Sequence, residues 1–224
     1  MRLNLRLRLL ELLFPRKCML CRRPLPKYVT ELCHSCRKDA PWVPDLREHT
    51  TCLDRRTALW YYEGHVCRCL RRFKFFGARS YAEGFAHLLI QRMEETDFSA
   101  FDLLTWVPIS PRRRFFRGYD QVELLAIALG KEFGITPVRL LKKVRNTPPQ
   151  SGISDPAARR ANVLGAFQAV NTALLQDKQI LLLDDIITTG ATSSECARIL
   201  LIAGARSVTC AAIARGVHDL ESSR

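Results

Sequence analysis

The 224-residue chain holds no run approaching the roughly 18 consecutive apolar residues of a bilayer-crossing helix, which argues against an integral helical membrane protein. Its start, Met1-Arg-Leu-Asn-Leu-Arg-Leu-Arg-Leu-Leu10, interleaves arginine with leucine. It has no continuous apolar centre, so it does not read as an export signal. The expectation is a cytoplasmic chain. Its first residues would form a helix beside the module that follows, or a basic amphipathic helix in peripheral contact with a membrane. Repeats and low-complexity tracts are also lacking, which argues against a solenoid or a disordered linker. Acidic residues are in deficit: 22 Asp and Glu against 35 Lys and Arg leave a net charge of +13. That surplus points to polyanionic partners, either nucleic acid or a phosphate-rich small molecule. The basic residues cluster in Arg112-Arg-Arg-Phe-Phe-Arg117, Lys142-Lys-Val-Arg145 and Arg159-Arg160.

Cysteine, by contrast, is plentiful, with nine in the chain. Cys18-Met-Leu-Cys21 and Cys33-His-Ser-Cys36 form two Cys-x-x-Cys pairs separated by eleven residues. Each pair presents two thiolates from one tight turn, and two such turns complete a tetrahedral Zn²⁺ site. Four protein ligands leave no open position, so the site reads as structural. Disulfides are the alternative, and the missing export signal disfavours them. His34, between the ligands, is a spare donor. A second metal site among His65, Cys67 and Cys69 competes with packed or partly exposed thiols. Cys52, Cys196 and Cys210 read as small apolar side chains.

From about residue 57 the pattern alternates. Thr57–Tyr62 suits a strand, Cys67–Met93 reads as helix interrupted near Gly77, and Leu103–Pro108 is a short apolar strand. Gln121–Phe133 is an amphipathic helix closed by Gly134. Val163–Gln168 and Ile180–Leu183 follow as strands, Ser193–Ala203 as a helix stopped by Gly204, and Ser207–Ala214 as the last strand. Such alternation implies an α/β fold with a mainly parallel sheet, in which ligands sit beyond the carboxyl ends of the strands. Asp184 and Asp185 fall at such an end. Backbone N–H groups of Thr189, Gly190, Ala191 and Thr192 would converge on one phosphate at the start of the next helix, and Thr188, Thr189 and Thr192 add hydroxyl donors. Carboxylates just before a phosphate cradle accept from sugar hydroxyls, so the stretch suits a 5-phosphorylated ribose. An ATPase Walker B strand would need a Gly-x-x-x-x-Gly-Lys-Ser/Thr loop, which the chain lacks. A purely structural strand leaves the paired acids and the threonines unexplained.

Ile180–Thr192 resembles the thirteen-residue 5-phosphoribosyl pyrophosphate (PRPP) motif of type I phosphoribosyltransferases. With the two Cys-x-x-Cys pairs, the chain is similar to the ComF family, known from bacterial competence for DNA uptake. Further landmarks are Phe73-Lys-Phe-Phe-Gly77, Val107-Pro-Ile-Ser110, Arg117-Gly-Tyr-Asp-Gln121, Arg145-Asn-Thr-Pro-Pro-Gln150 and Arg160-Ala-Asn-Val-Leu-Gly-Ala-Phe167. The resemblance implies a type I phosphoribosyltransferase fold over residues 51–224, preceded by a helix and small zinc ribbon or knuckle over residues 1–50. It implies that Asp184 and Asp185 hold the ribose hydroxyls, and that Thr188, Thr189, Gly190, Ala191 and Thr192 hold the 5-phosphate. Val107, Pro108, Ile109 and Ser110 would form the pyrophosphate loop, which in such enzymes often contains a non-trans peptide. Arg145–Arg160 resembles the mobile loop that closes over PRPP, with Pro148, Pro149, Ser151 and Gly152 fitting a segment without regular structure. Arg145, Arg159 and Arg117, and less directly Lys74, would clamp the leaving pyrophosphate together with Mg²⁺. Two positions depart from the family pattern: Ile186 where Val is common, and Asp120 where Asn is common. The expected role is a PRPP-binding transferase in DNA uptake or utilisation. The alternative is a non-catalytic sensor that holds single-stranded DNA or a DNA-uptake helicase. No glutaminase domain and no Cys at position 2 are present, so glutamine-dependent ammonia transfer is not supported.

Overall fold

The computed structural model describes residues 15–44, 51–95, 101–147 and 155–217. The expected helix at residues 1–10 and the loop positions Pro148, Pro149, Ser151 and Gly152 lie outside them. The elements run α1 (His34–Asp39), β1 (Arg55–Tyr61), α2 (Gly64–Phe75), α3 (Tyr81–Glu95), β2 (Leu103–Trp106), α4 (Pro111–Arg117) and α5 (Gln121–Phe133). They continue with β3 (Leu141–Lys143), α6 (Pro156–Val163), β4 (Phe167–Ala169), a 3₁₀ turn at Thr172–Leu174, β5 (Gln179–Ile187), α7 (Ala191–Ile202) and β6 (Ser207–Arg215). Four parallel strands form the central sheet in the order β1-β6-β5-β2. β3 and β4 pair antiparallel as a separate ribbon.

β5 explains its own apolar run. It lies inside the sheet, so both faces need covering, and a central parallel strand reads as continuously apolar rather than alternating. Leu181 and Leu183 enter one core with Phe73, Phe85 and Leu125, while Ile180 and Leu182 enter the other with Cys196, Leu200 and Val208. The first core joins α2, α3 and α5 to the sheet; the second joins α7 and the β3–β4 ribbon. In α2 the buried residues Val66, Cys69, Leu70 and Phe73 repeat at helical spacing. α5 begins where the Asp120 carboxylate accepts from the Val122 and Glu123 N–H groups and ends at Gly134, φ 66°.

Three sequence expectations change. β5 continues past Leu183 through both acids to Ile187, because β6 pairs with it that far and satisfies its backbone. Val163 closes α6 instead of opening a strand, and only Phe167–Ala169 of that segment is extended. Arg159 and Arg160 sit on α6, started by the Asp155 cap, so this end of the expected loop is helical. Among the described residues no helix is long and apolar enough to cross a membrane.

The cysteine module docks on α2 and α3. Cys18, Met19, Leu20 and Leu32 belong to the same apolar cluster as Tyr81 and Phe85. Gly84 permits the approach, since a Cβ there would stand 2.5 Å from Met19 Sδ. Arg72 Nη2 donates to the Met19 and Leu20 carbonyls at 2.5 and 3.1 Å. His87 of α3 meets Glu31 at 3.0 Å and Glu132 of α5 at 3.5 Å.

Candidate functional site

Strand β2 pairs with β5 only as far as Trp106 opposite Leu183. Asp184 and Asp185 are the next two residues, at the carboxyl edge where α4 and α5 begin. Consecutive strand residues point to opposite faces. Asp185 turns toward α2 and α5. Lys74 Nζ donates to its Oδ1 at 2.9 Å, and Gln121 Nε2 donates to its Oδ2. Gln121 is itself held by Arg117 Nη1, which donates to its Oε1 at 2.8 Å. Burial pulls the half-buried Arg117 below the usual guanidinium range.

Asp184 turns toward the second core and senses the charge of Lys143 on β3. Burial, and then the neighbouring Asp185 charge, push its pKa up to about 8, against the opposing pull of the Asp185 N–H and of Lys74 and Lys143. Asp184 is thus pushed toward its acid form, while Asp185 is the member that holds the Lys74 ion pair. An acid with a raised folded pKa adds stability that is fully present below its unfolded value and is lost as pH rises through the folded one. Thermal midpoints taken from about pH 5 to about pH 9 should therefore fall more steeply for the native chain than for Asp184→Asn, which mimics the protonated form. Parallel curves for the two proteins would refute the raised pKa.

The Val107–Ser110 loop is pinned from three sides. The Val107 N–H donates to the Leu183 carbonyl at 2.9 Å, and Ser110 Oγ caps α4 through the Arg113 N–H at 3.4 Å. The Ile109 N–H donates to Asp120 Oδ2 at 3.1 Å. Among the described residues no peptide bond is cis. Asp120 thereby acquires a role: its hydrogen bonds go to the backbone N–H groups of Ile109, Val122 and Glu123, joining this loop to α5. It is a structural bracket.

Between β5 and α7, Gly190 adopts φ 73°, and a Cβ there would collide with the Arg56 guanidinium. Thr189 Oγ1 is buried with no hydrogen-bond partner among the described residues. It lies immediately before the first-turn N–H groups of α7, which as a class have no intrahelical partner. The expected mobile-loop arginines are placed less directly. Arg145 Nη2 donates to the Asn162 and Leu164 carbonyls at 3.1 and 2.8 Å, closing the end of α6, and Arg159 sits on α6. Three residues escaped the sequence reading. Gln121 lay inside a landmark, but nothing local marked it as the partner of Asp185. Lys143 lay in a basic cluster, and only the β3 register shows that it, not exposed Lys142, faces inward and packs 5.0 Å from the Phe167 ring. Arg56 carried no local signal.

The four thiols of Cys18, Cys21, Cys33 and Cys36 all lie within 4.8 Å of one another, with Cys21 and Cys33 Sγ 3.6 Å apart. Sulfurs about 2.3 Å from a central Zn²⁺ in a tetrahedron stand about 3.8 Å apart, so the donor set fits that metal. Burial opposes ionisation of Cys18, yet the N–H groups of Cys33, Cys21 and Leu20 outweigh it and bring the thiol to about 7. Among the described residues this is the one cluster of metal-ligating groups, so His65, Cys67 and Cys69 do not form a second.

The family profile described as "Phosphoribosyl transferase domain" matches residues 123–224. The chain is 26% identical to competence protein F of Haemophilus influenzae over 90% of its own length and 98% of that protein. It is 28% identical to the DNA utilization protein YhgH of Salmonella typhimurium over 85% of this chain and 86% of that one. It is 30% identical to competence protein ComFC of Streptococcus pneumoniae over 70% of this chain and 67% of that one. The parallel sheet, with acids and a threonine loop at its carboxyl edge, is the type I phosphoribosyltransferase fold.

Proposed function

The chain belongs to the ComF family, and from that premise we propose that it binds PRPP with Mg²⁺ and transfers the phosphoribosyl group in the service of DNA uptake or utilisation in the cytoplasm. The observation that carries this reading is the orphaned Thr189 hydroxyl, buried between an acid pair and a helix N-terminus. A buried polar atom without a partner is costly, and a phosphate oxygen supplies the missing one. On this reading the Thr188–Thr192 loop holds the 5-phosphate, and Asp185 accepts from a ribose hydroxyl. Asp184, largely protonated, completes the diol contact as donor or acceptor. The Val107–Ser110 loop and Arg117 face the pyrophosphate, with Arg145 and Arg159 approaching from the segment beyond β3. Mg²⁺ would arrive with the pyrophosphate, beside Arg117 and the Val107–Ser110 loop, and would supply charge neutralisation to the leaving group. Zn²⁺ on the four cysteines fixes the described part of the N-terminal module, residues 15–44, on the domain that follows. Pyrophosphate release from PRPP and Mg²⁺, assayed with bases, amines and nucleic acid as acceptors, tests the reading. Release that persists undiminished in Asp185→Asn would overturn it.

One surface favours a second reading, a binder of single-stranded DNA that also serves a DNA-uptake helicase. Phe75, Phe76, Phe115 and Phe116 are 58 to 84% exposed. Phe115 and Phe116 meet edge-on at 5.8 Å, Arg117 lies 4.6 Å over the Phe75 ring, and Arg112 lies 5.8 Å over Phe116. Exposed rings interleaved with arginines suit base stacking along a phosphate backbone. Phe115→Ala with Phe116→Ala should weaken oligo-dT binding about tenfold or more without altering its salt dependence, whereas Arg112→Ala should lower the salt slope. Fluorescence anisotropy over a salt series separates the two. Unchanged affinity in the double variant would remove this surface from the function.

A further inference from the structure

The carboxylate meant for the sugar is already engaged. Lys74 Nζ takes Asp185 Oδ1 at 2.9 Å and Gln121 Nε2 takes Oδ2, with the side chains of Lys74 and Asp185 only 16% and 12% exposed. A ribose hydroxyl donating to Asp185 has to displace one of them. Gln121 is 1% exposed, sits at the first position of α5 directly after the Asp120 bracket, and is gripped from behind by Arg117. Lys74 differs in every respect. It ends a flexible four-carbon stem in the last turn of α2, and its ion pair with Asp185 closes over the site. It is the group that can leave.

An ammonium withdrawn from a buried carboxylate needs another anion, or it stays half-desolvated at a cost. A ligand carrying a pyrophosphate on the anomeric carbon brings that anion beside the diol; ribose 5-phosphate does not. We infer that Lys74 is a specificity-determining latch that makes occupation of Asp185 by a ribose diol conditional on a pyrophosphate in the same ligand. On arrival of PRPP the ammonium passes from Asp185 to the pyrophosphate. When pyrophosphate departs, the ammonium returns to Asp185 and presses the phosphoribosyl product out. This rests on the PRPP reading above and adds to it an order of events: the lysine is first a competitor of the sugar and then a partner of the leaving group.

The test is titration calorimetry of the full zinc-loaded chain with Mg²⁺, using PRPP and, separately, ribose 5-phosphate, in the native protein and in Lys74→Met. The variant keeps the stem and loses the charge. It should bind ribose 5-phosphate about three- to tenfold more tightly and PRPP about tenfold more weakly, because the lost charged contact has opposite sign for the two ligands. Lys74→Arg should keep the native preference, and Lys74→Gln carries the same expectation as Met should the Met variant fail to fold. Affinities for both ligands that fall together make Lys74 a plain anion clamp and overturn the latch. Affinities that do not move, or that both rise, overturn it equally. A native protein that binds no PRPP overturns the parent reading instead, so the two failures are distinguishable.

Discussion

Asp185→Asn is expected to lower PRPP affinity by about two orders of magnitude or more, while Asp184→Asn lowers it far less. The asymmetry follows from the two faces of β5. Asp185 is the member held in an ion pair with Lys74 and hydrogen-bonded by Gln121. Each charge-assisted hydrogen bond that it offers a sugar hydroxyl is worth about 1.5–3 kcal/mol, and an amide offers only neutral ones. Asp184 is pushed toward its neutral form by burial and by Asp185, so an amide replaces a group that already carries little charge. Folding should separate the two variants as well. Asp184→Asn removes the cost of burying a titratable carboxyl and should raise stability, whereas Asp185→Asn strands Lys74 without its ion pair and should lower it. Calorimetric titration of both variants with PRPP and Mg²⁺, paired with thermal unfolding, reads all four quantities. Equal losses of affinity at the two positions would defeat the assignment of charge to Asp185.

The second large effect concerns the metal. Elemental analysis should find one Zn²⁺ per chain, and Cys33→Ser should unfold the cysteine module locally while leaving PRPP affinity within about threefold. Residues 15–44 have little apolar mass of their own: among their buried side chains are Met19, Leu20, Leu32 and Val43. A module this small would depend on a bound metal for its fold, and structural Zn²⁺ supplies about 10–16 kcal/mol in isolated fingers. Its loss would free the carbonyls of Met19 and Leu20 from Arg72 and bare the apolar face of α3 around Phe85. Limited proteolysis should then cut within residues 15–44 first, with increased aggregation. Protein prepared without chelators that contains no metal, yet resists proteolysis there, would sink the zinc assignment. A large loss of PRPP affinity in Cys33→Ser would show that the module reaches the sugar site after all.

Several elements were legible in the sequence because their causes are local. The Gln121–Phe133 helix carries its own cap at Asp120 and its own stop at Gly134, and the structure starts and ends it there. The helical break near Gly77 and the parallel strands Leu103–Trp106 and Ser207–Arg215 likewise follow from short-range pattern. Val163–Gln168 misled because an apolar-flanked segment of that length suits a strand or a helix end equally, and the Asp155 cap eight residues before Val163 decides for the helix. The length of β5 was underestimated because a strand's end is set by its neighbours. β6 supplies partners out to Ile187, and no property of residues 184–187 announces that.

By itself, the amino-acid order determined that a buried strand delivers two acids to a threonine–glycine turn, and that four cysteines meet in two tight pairs. Those are consequences of residues within a few positions of one another. Only the tertiary structure decided that Asp184 and Asp185 part to opposite faces, that burial pushes Asp184 toward its acid form, and that Asp185 is already occupied by Lys74 and Gln121. The reason is physical: protonation and occupancy depend on desolvation and on charges brought near in space. Lys74 stands 111 residues from Asp185 along the chain, and Gln121 stands 64.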